Sequence, residues 1–121
     1  MKSYIIAEMA WGYTGEFRIA VDLLNFVKFS QADAIGIHIT DMSTYMTKDY
    51  KCIAGQTLSA RDEVEEEVNI YKYLEDINMS NNQWLDFDKE ASKIGVDIVA
   101  MCNDLESFLF SKKMKIQKYV I

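Results

Sequence analysis

The residues equipped for chemistry are few, and they fall where apolar runs end. The stretch IIAEMAWGYTGE, residues 5–16, holds Glu8 inside an apolar run that meets a short turn with two glycines and restarts as an amphipathic segment. A carboxylate there is costly if buried and useful if it faces a cleft, where it can exchange protons with a ligand. ADAIGIHIT, residues 32–40, brings His38 and Thr40, with Asp41 next; His38 is the only histidine. A lone imidazole can line a phosphate or sugar pocket but cannot make a metal site by itself. VDIVAMC, residues 96–102, delivers Cys102 and then Asn103 and Asp104. Cys102 has no imidazole partner besides His38, which argues against a thiolate nucleophile. Asp41 and Asp104 read as caps of loops or helices. Trp11 and Tyr13 carry flat faces that suit a pyranose ring, and they equally suit plugging the cleft or covering the turn.

These residues need a scaffold, and the hydrophobic pattern supplies one. Tyr4–Ala10 is a short apolar run expected of a strand buried on both faces. Phe17, Ala20, Leu24 and Val27 then follow helical spacing. In the second strand, period-two alternation puts Gly36, His38 and Thr40 on one face and Ile35, Ile37 and Ile39 on the other. The isoleucine face wants helices over it, and the opposite face suits a barrel interior or a ligand. A polar stretch around Gly55 has no clear assignment. A helix is expected from Asp62, with Asp62 and Glu65 in capping-box positions and Val64, Val68 and Tyr71 on one face. EVEEEV, residues 63–68, then forms its acidic first turns, favourable to the helix dipole.

The clearest helix starts at Ser80, with Gln83 at capping-box spacing, and Gly95 closes it. Its stripe of Trp84, Phe87, Ala91 and Ile94 belongs in the core. After the third strand, Asn103 is placed to cap a helix with Leu105, Phe108 and Leu109 facing inward, and KYVI at 118–121 reads as a fourth strand. Strands alternating with helices imply right-handed βαβ units and a parallel sheet, whose chemistry sits where strands end and helices begin.

Composition narrows the class. The 121 residues allow one domain with a modest core, and half of them are hydrophobic. The net charge of −6 argues against nucleic acid, which asks for a basic patch. No apolar run approaches the roughly 20 residues needed to span a bilayer. Glu8 interrupts the N-terminal apolar stretch and spoils it as a signal peptide. Two cysteines, Cys52 and Cys102, form no CxxC and are too few for a secreted scaffold. The expectation is a soluble cytoplasmic domain with free thiols, in which the sequon-like NMS at 78–80 is chance.

The first strand and turn resemble the opening of the sialic acid synthases, roughly IIAEIGxNHNGD. Ala7, Glu8, Gly15 and, conservatively, Glu16 match it. QADAI, residues 31–35, is similar to that family's GADAV, and residues 69–104 follow its helix–strand pattern. The resemblance covers nearly all of the chain but only the first half of a family barrel. It implies an α/β fold of TIM type, a (β/α) barrel represented by about four parallel strands with intervening helices, as a single partial domain over residues 1–121.

The implied activity is phosphoenolpyruvate-dependent condensation with an N-acetylated amino sugar for surface glycans. Glu8 is then the catalytic carboxylate, and His38, Thr40 and Tyr13 are substrate-binding. No cofactor is expected in this chain, although a divalent metal, Mn²⁺ or Mg²⁺, belongs to the full barrel. The departures are specific. The family's NHNG turn reads GYTG here, Gly36 and His38 stand where a phosphate-binding lysine and a glutamine are expected, Met101 replaces a threonine, and Val120 replaces a lysine. A phosphate in a dry pocket needs fixed positive charge, so the chain alone is expected to be inactive. A homo-oligomer or a second half-barrel is expected to complete the structure, since four strands of an eight-stranded barrel cannot close. Two other readings stay open: a degenerate binding or interaction module, and a diverged lyase or aldolase using His38 for a phosphate.

Overall fold

The computed structural model describes residues 3–53 and 67–121. Four strands, β1 (Ile6–Ala10), β2 (Ala34–Ile39), β5 (Asp97–Cys102) and β6 (Ile116–Val120), form one sheet in the order β1-β2-β5-β6. All three pairings are parallel, and the register sets Glu8 beside Gly36 and His38 beside Met101. Helices α1 (Phe17–Ser30), α4 (Asn81–Ile94) and α5 (Leu105–Ser111) lie between successive strands. Between β2 and α4 the chain makes a short helix α2 (Met42–Tyr45), an antiparallel pair β3 (Lys51–Ile53) and β4 (Glu67–Asn69), and helix α3 (Ile70–Ile77).

The alternation along β2 decides which face is core. Ile35, Ile37 and Ile39 are buried against Ala20, Leu24 and Val27 of α1 and Trp84, Phe87 and Ala91 of α4, within one continuous cluster. The helices cover this side because a strand face of branched side chains packs best against complementary helix stripes. On the reverse face Tyr4 reaches Asp97, to which its hydroxyl donates at 2.8 Å, and Lys118 of β6 sits 3.9 Å from the Tyr4 ring centroid.

Capping explains the boundaries. Ser80 accepts from the Gln83 backbone N–H while Gln83 accepts from that of Ser80, so the expected capping box starts α4 and Gly95 ends it. The start of α5 departs from expectation. Asp104, not Asn103, is its N-cap and accepts from the Ser107 N–H at 2.7 Å. That choice of cap sets which face turns inward: Ser107, Phe110 and Ser111 are buried, while Leu105 and Leu109 are more than half exposed. The helix expected from Asp62 begins only at Ile70 among the described residues, where Asn69 caps it by accepting from the Lys72 N–H. Val68 lies in strand β4, not on that helix. Positions 62 to 66, including Val64, and the stretch around Gly55 lie outside the described residues.

Candidate functional site

The C-terminal ends of β1, β2 and β5 converge on one edge of the sheet, and the residues expected to do chemistry meet there. Glu8 projects from β1 to the side opposite the isoleucines. A Cβ added at Gly36 would stand 2.3 Å from Glu8 Oε2 and 2.9 Å from its Cδ. The carboxylate therefore lies across the bare backbone of β2, a close approach that only a glycine permits. From there Oε1 accepts from the Ala10 N–H at 2.9 Å and stands 3.6 Å from His38 Nε2. The Glu8 side chain is 53% exposed and that of His38 22%, so the pair is open to solvent from the carboxylate side.

The turn that follows β1 has a structural task. Gly15 holds a φ of +80°, and a Cβ there would be 3.0 Å from the Asp76 carbonyl oxygen, so the turn can pack against the end of α3. Tyr13 is placed differently from a ligand-binding aromatic. It is wholly buried, edge-on to Trp84 with ring centroids 5.6 Å apart, and offers no face to the cleft. Of the readings open for it, the plug under the turn is the one the packing realises. Burial pushes its hydroxyl up to about 12, and the nearby Met79 backbone is too poorly placed to make a hydrogen bond. Trp11 stacks on Tyr13 at 6.4 Å and packs on the same cluster.

Thr40 also departs from its expected role. It is 6% exposed, and its Oγ1 accepts from Asn103 Nδ2 at 2.7 Å while its carbonyl accepts from Asn78 Nδ2. It ties the end of β2 to the end of β5 instead of presenting a hydroxyl to a ligand. Asp104 Oδ2 accepts from the Asp41 N–H at 2.8 Å, and Asp41 caps α2, so both carboxylates fix loops as expected. The Cys102 thiol is pushed up, chiefly by burial, which makes it a poor nucleophile.

Three contributors were missed in the sequence. Gly36 shapes the seat of Glu8, Asn103 turns back onto Thr40 instead of capping α5, and Lys118 is an inward-facing cation committed to Tyr4. Alternation could have placed Lys118 and Gly36 on the inner face, whereas nothing in the pattern foretold the Asn103–Thr40 bond.

Glu8 and His38 supply two donors, and no group of three or more His, Cys, Asp or Glu side chains able to hold a metal occurs among the described residues. A divalent cation of the Mn²⁺ or Mg²⁺ kind needs more oxygen or nitrogen ligands than this pair offers, so these residues do not make a metal centre.

Comparison with solved structures places this geometry. The N-acetylneuraminic acid (sialic acid) synthetase of Leptospira borgpetersenii, determined with citrate, superposes over 98% of this chain with a TM-score of 0.71 at 13% identity. A Chromobacterium violaceum protein assigned to spore coat polysaccharide biosynthesis (protein E) superposes over 94% with a TM-score of 0.68 at 18% identity. The fold is a partial (β/α) barrel. This chain spans 35% and 32% of the lengths of those two neighbours, about a third in each case. Its sheet is a segment of a barrel wall, and the face that carries Glu8, Gly36 and His38 is the barrel's inner face. Neither a protein-family model nor a curated protein sequence matches the chain. Among the described residues no helix is long and apolar enough to cross a membrane.

Proposed function

We propose that this chain is part of a sialic acid synthase-like barrel whose inner mouth, through Glu8 and His38, handles an N-acetylated amino sugar destined for surface glycans. The observation that carries this reading is the Glu8–His38 pair at the C-terminal mouth, seated by Gly36, in a fold shared with a sialic acid synthetase and a polysaccharide biosynthesis protein. In the completed barrel the reaction is condensation with phosphoenolpyruvate. Glu8 there holds or takes a proton beside the developing charge, and His38 orients the carboxylate and donates a hydrogen bond.

The chain by itself does not turn phosphoenolpyruvate over. A phosphate and a carboxylate in one pocket need fixed cations, and the inward positions near the mouth, His38, Thr40, Met101 and Val120, include no lysine or arginine. The inward lysine of β6, Lys118, is turned toward Tyr4. This favours, as a second reading, a module that retains ligand binding and has lost condensation. A phosphate-release assay with the 121-residue chain, phosphoenolpyruvate, N-acetylmannosamine and Mn²⁺ separates the two claims. No release above background is expected. Release that disappears in Glu8→Gln would establish a working synthase and refute inactivity, while release that survives Glu8→Gln would remove Glu8 from the chemistry.

A further inference from the structure

The exposed apolar residues of this molecule are not scattered. Among the described residues, the exposed large hydrophobic side chains other than tyrosine all lie at the two open edges of the sheet. On the β1 side these are Ile5, Ile6, Ile19, Phe26 and Phe29, with Phe26 67% and Phe29 86% exposed. On the β6 side they are Leu105, Phe108, Leu109, Val120 and Ile121. Beside β1 they border a groove of about 310 Å³ running between the strand and α1, floored by Ala7, Met9 and Ile35. Single exposed apolar residues need no explanation, but a set confined to two edges does.

Both edges belong to strands running in the same direction, and each leaves a row of backbone N–H and C=O groups without a strand partner. The edges are complementary in kind: β1 opens one side of a curved parallel wall and β6 the other. Four strands are half of the roughly eight at which a parallel barrel closes with its interior just filled by side chains.

We infer that two copies of this chain close one barrel about a twofold axis, β6 of each copy pairing in parallel with β1 of the other. The strand order is then β1-β2-β5-β6 twice over, with no edge left. The two junctions are identical, and each covers Phe26 and Phe29 of one copy together with Leu105 and Leu109 of the other. Because the contact is head to tail and closes after two copies, it forms a discrete pair and not a filament. The pairing also completes the mouth. Glu8 stands on the edge strand, so the missing wall beside it is the second copy's β6, and one mouth carries two Glu8–His38 pairs. This inference rests on topology and apolar surface, not on the proposed chemistry; a paired chain that binds no sugar would defeat the function and leave the pairing intact.

The test is solution mass by sedimentation, with variants at exposed positions whose fold is checked by circular dichroism. The wild-type chain is expected at twice its 14.0 kDa. Phe26→Lys/Phe29→Lys blocks the β1 side and Leu105→Lys/Leu109→Lys blocks the β6 side, and each double variant is expected to be monomeric. An equimolar mixture of the two retains one sound junction and is expected to pair again. A monomeric wild type overturns the proposal. So does a β6-side variant that stays dimeric, which would mean β1-to-β1 association, a mixture that fails to pair, or a mass that grows beyond two copies with concentration.

Discussion

Substitution of Gly36 by alanine tests how the mouth is built. The added Cβ would stand 2.3 Å from Glu8 Oε2, so that oxygen must retreat by about 1 Å to reach an ordinary separation of about 3.5 Å. The obstacle is the far end of a flexible side chain, so the strand itself need not move. The bond from the Ala10 N–H to the carboxylate is lost or lengthened, at a cost below about 1 kcal/mol because water reaches the 53% exposed Glu8. Against this, alanine in a strand interior gains roughly 0.5–1 kcal/mol over glycine. The two nearly cancel, and the melting temperature is expected to stay within a few degrees of wild type. The site, in contrast, is expected to change. As the only histidine, His38 gives a single ring resonance in a proton–carbon spectrum. Both Gly36→Ala and Glu8→Gln should move it in the same direction, since both take the carboxylate away. An unmoved resonance in Gly36→Ala, or a loss of more than about 3 kcal/mol of stability, would refute the claim that the glycine exists to seat Glu8.

Three further outcomes follow from the packing. Tyr13 has its hydroxyl raised from 10.0 to about 12, so the folded state holds a proton that the unfolded chain releases. That contribution is complete below pH 10 and is lost as pH rises toward 12, an effect of roughly 2 kcal/mol; urea titrations at pH 9 and 11.5 should show a smaller alkaline loss in Tyr13→Phe than in wild type. Trp84→Ala, at a 1% exposed position, should cost about 3–5 kcal/mol in the same titrations. Ser80→Ala removes the hydroxyl that accepts from the Gln83 N–H at 3.3 Å and should cost about 1 kcal/mol, with the near-ultraviolet spectrum unchanged.

The sheet was legible because its strands are short apolar runs separated by capped helices. The Ser80–Gln83 box, Gly95 and the isoleucine alternation of β2 each encode their structure within a few residues. The errors came from places where two local choices compete. Asn103 and Asp104 are both good N-caps, and the bond from Asn103 to Thr40, 63 positions away, decides between them. Once the cap moved by one residue, the inward face of α5 moved with it and Leu105 and Leu109 came to the surface. Ile70 to Ile77 carries helical spacing, but the β4 pairing of Val68 with Cys52 is non-local and left no periodic trace. At the site, Glu8 and His38 were legible as strand-end residues on one face. Tyr13 was not, because an aromatic in a turn looks the same in sequence whether it covers a ligand or packs on a tryptophan.

The most direct test of the central claim is a titration of the His38 ring resonance with N-acetylmannosamine, in the wild-type chain and in Glu8→Gln. The account predicts a saturable shift in the wild type that is lost or at least tenfold weakened in Glu8→Gln, with the rest of the spectrum preserved. A resonance that ignores the sugar, or a shift of equal affinity in both proteins, would contradict the assignment of the Glu8–His38 pair as the ligand site.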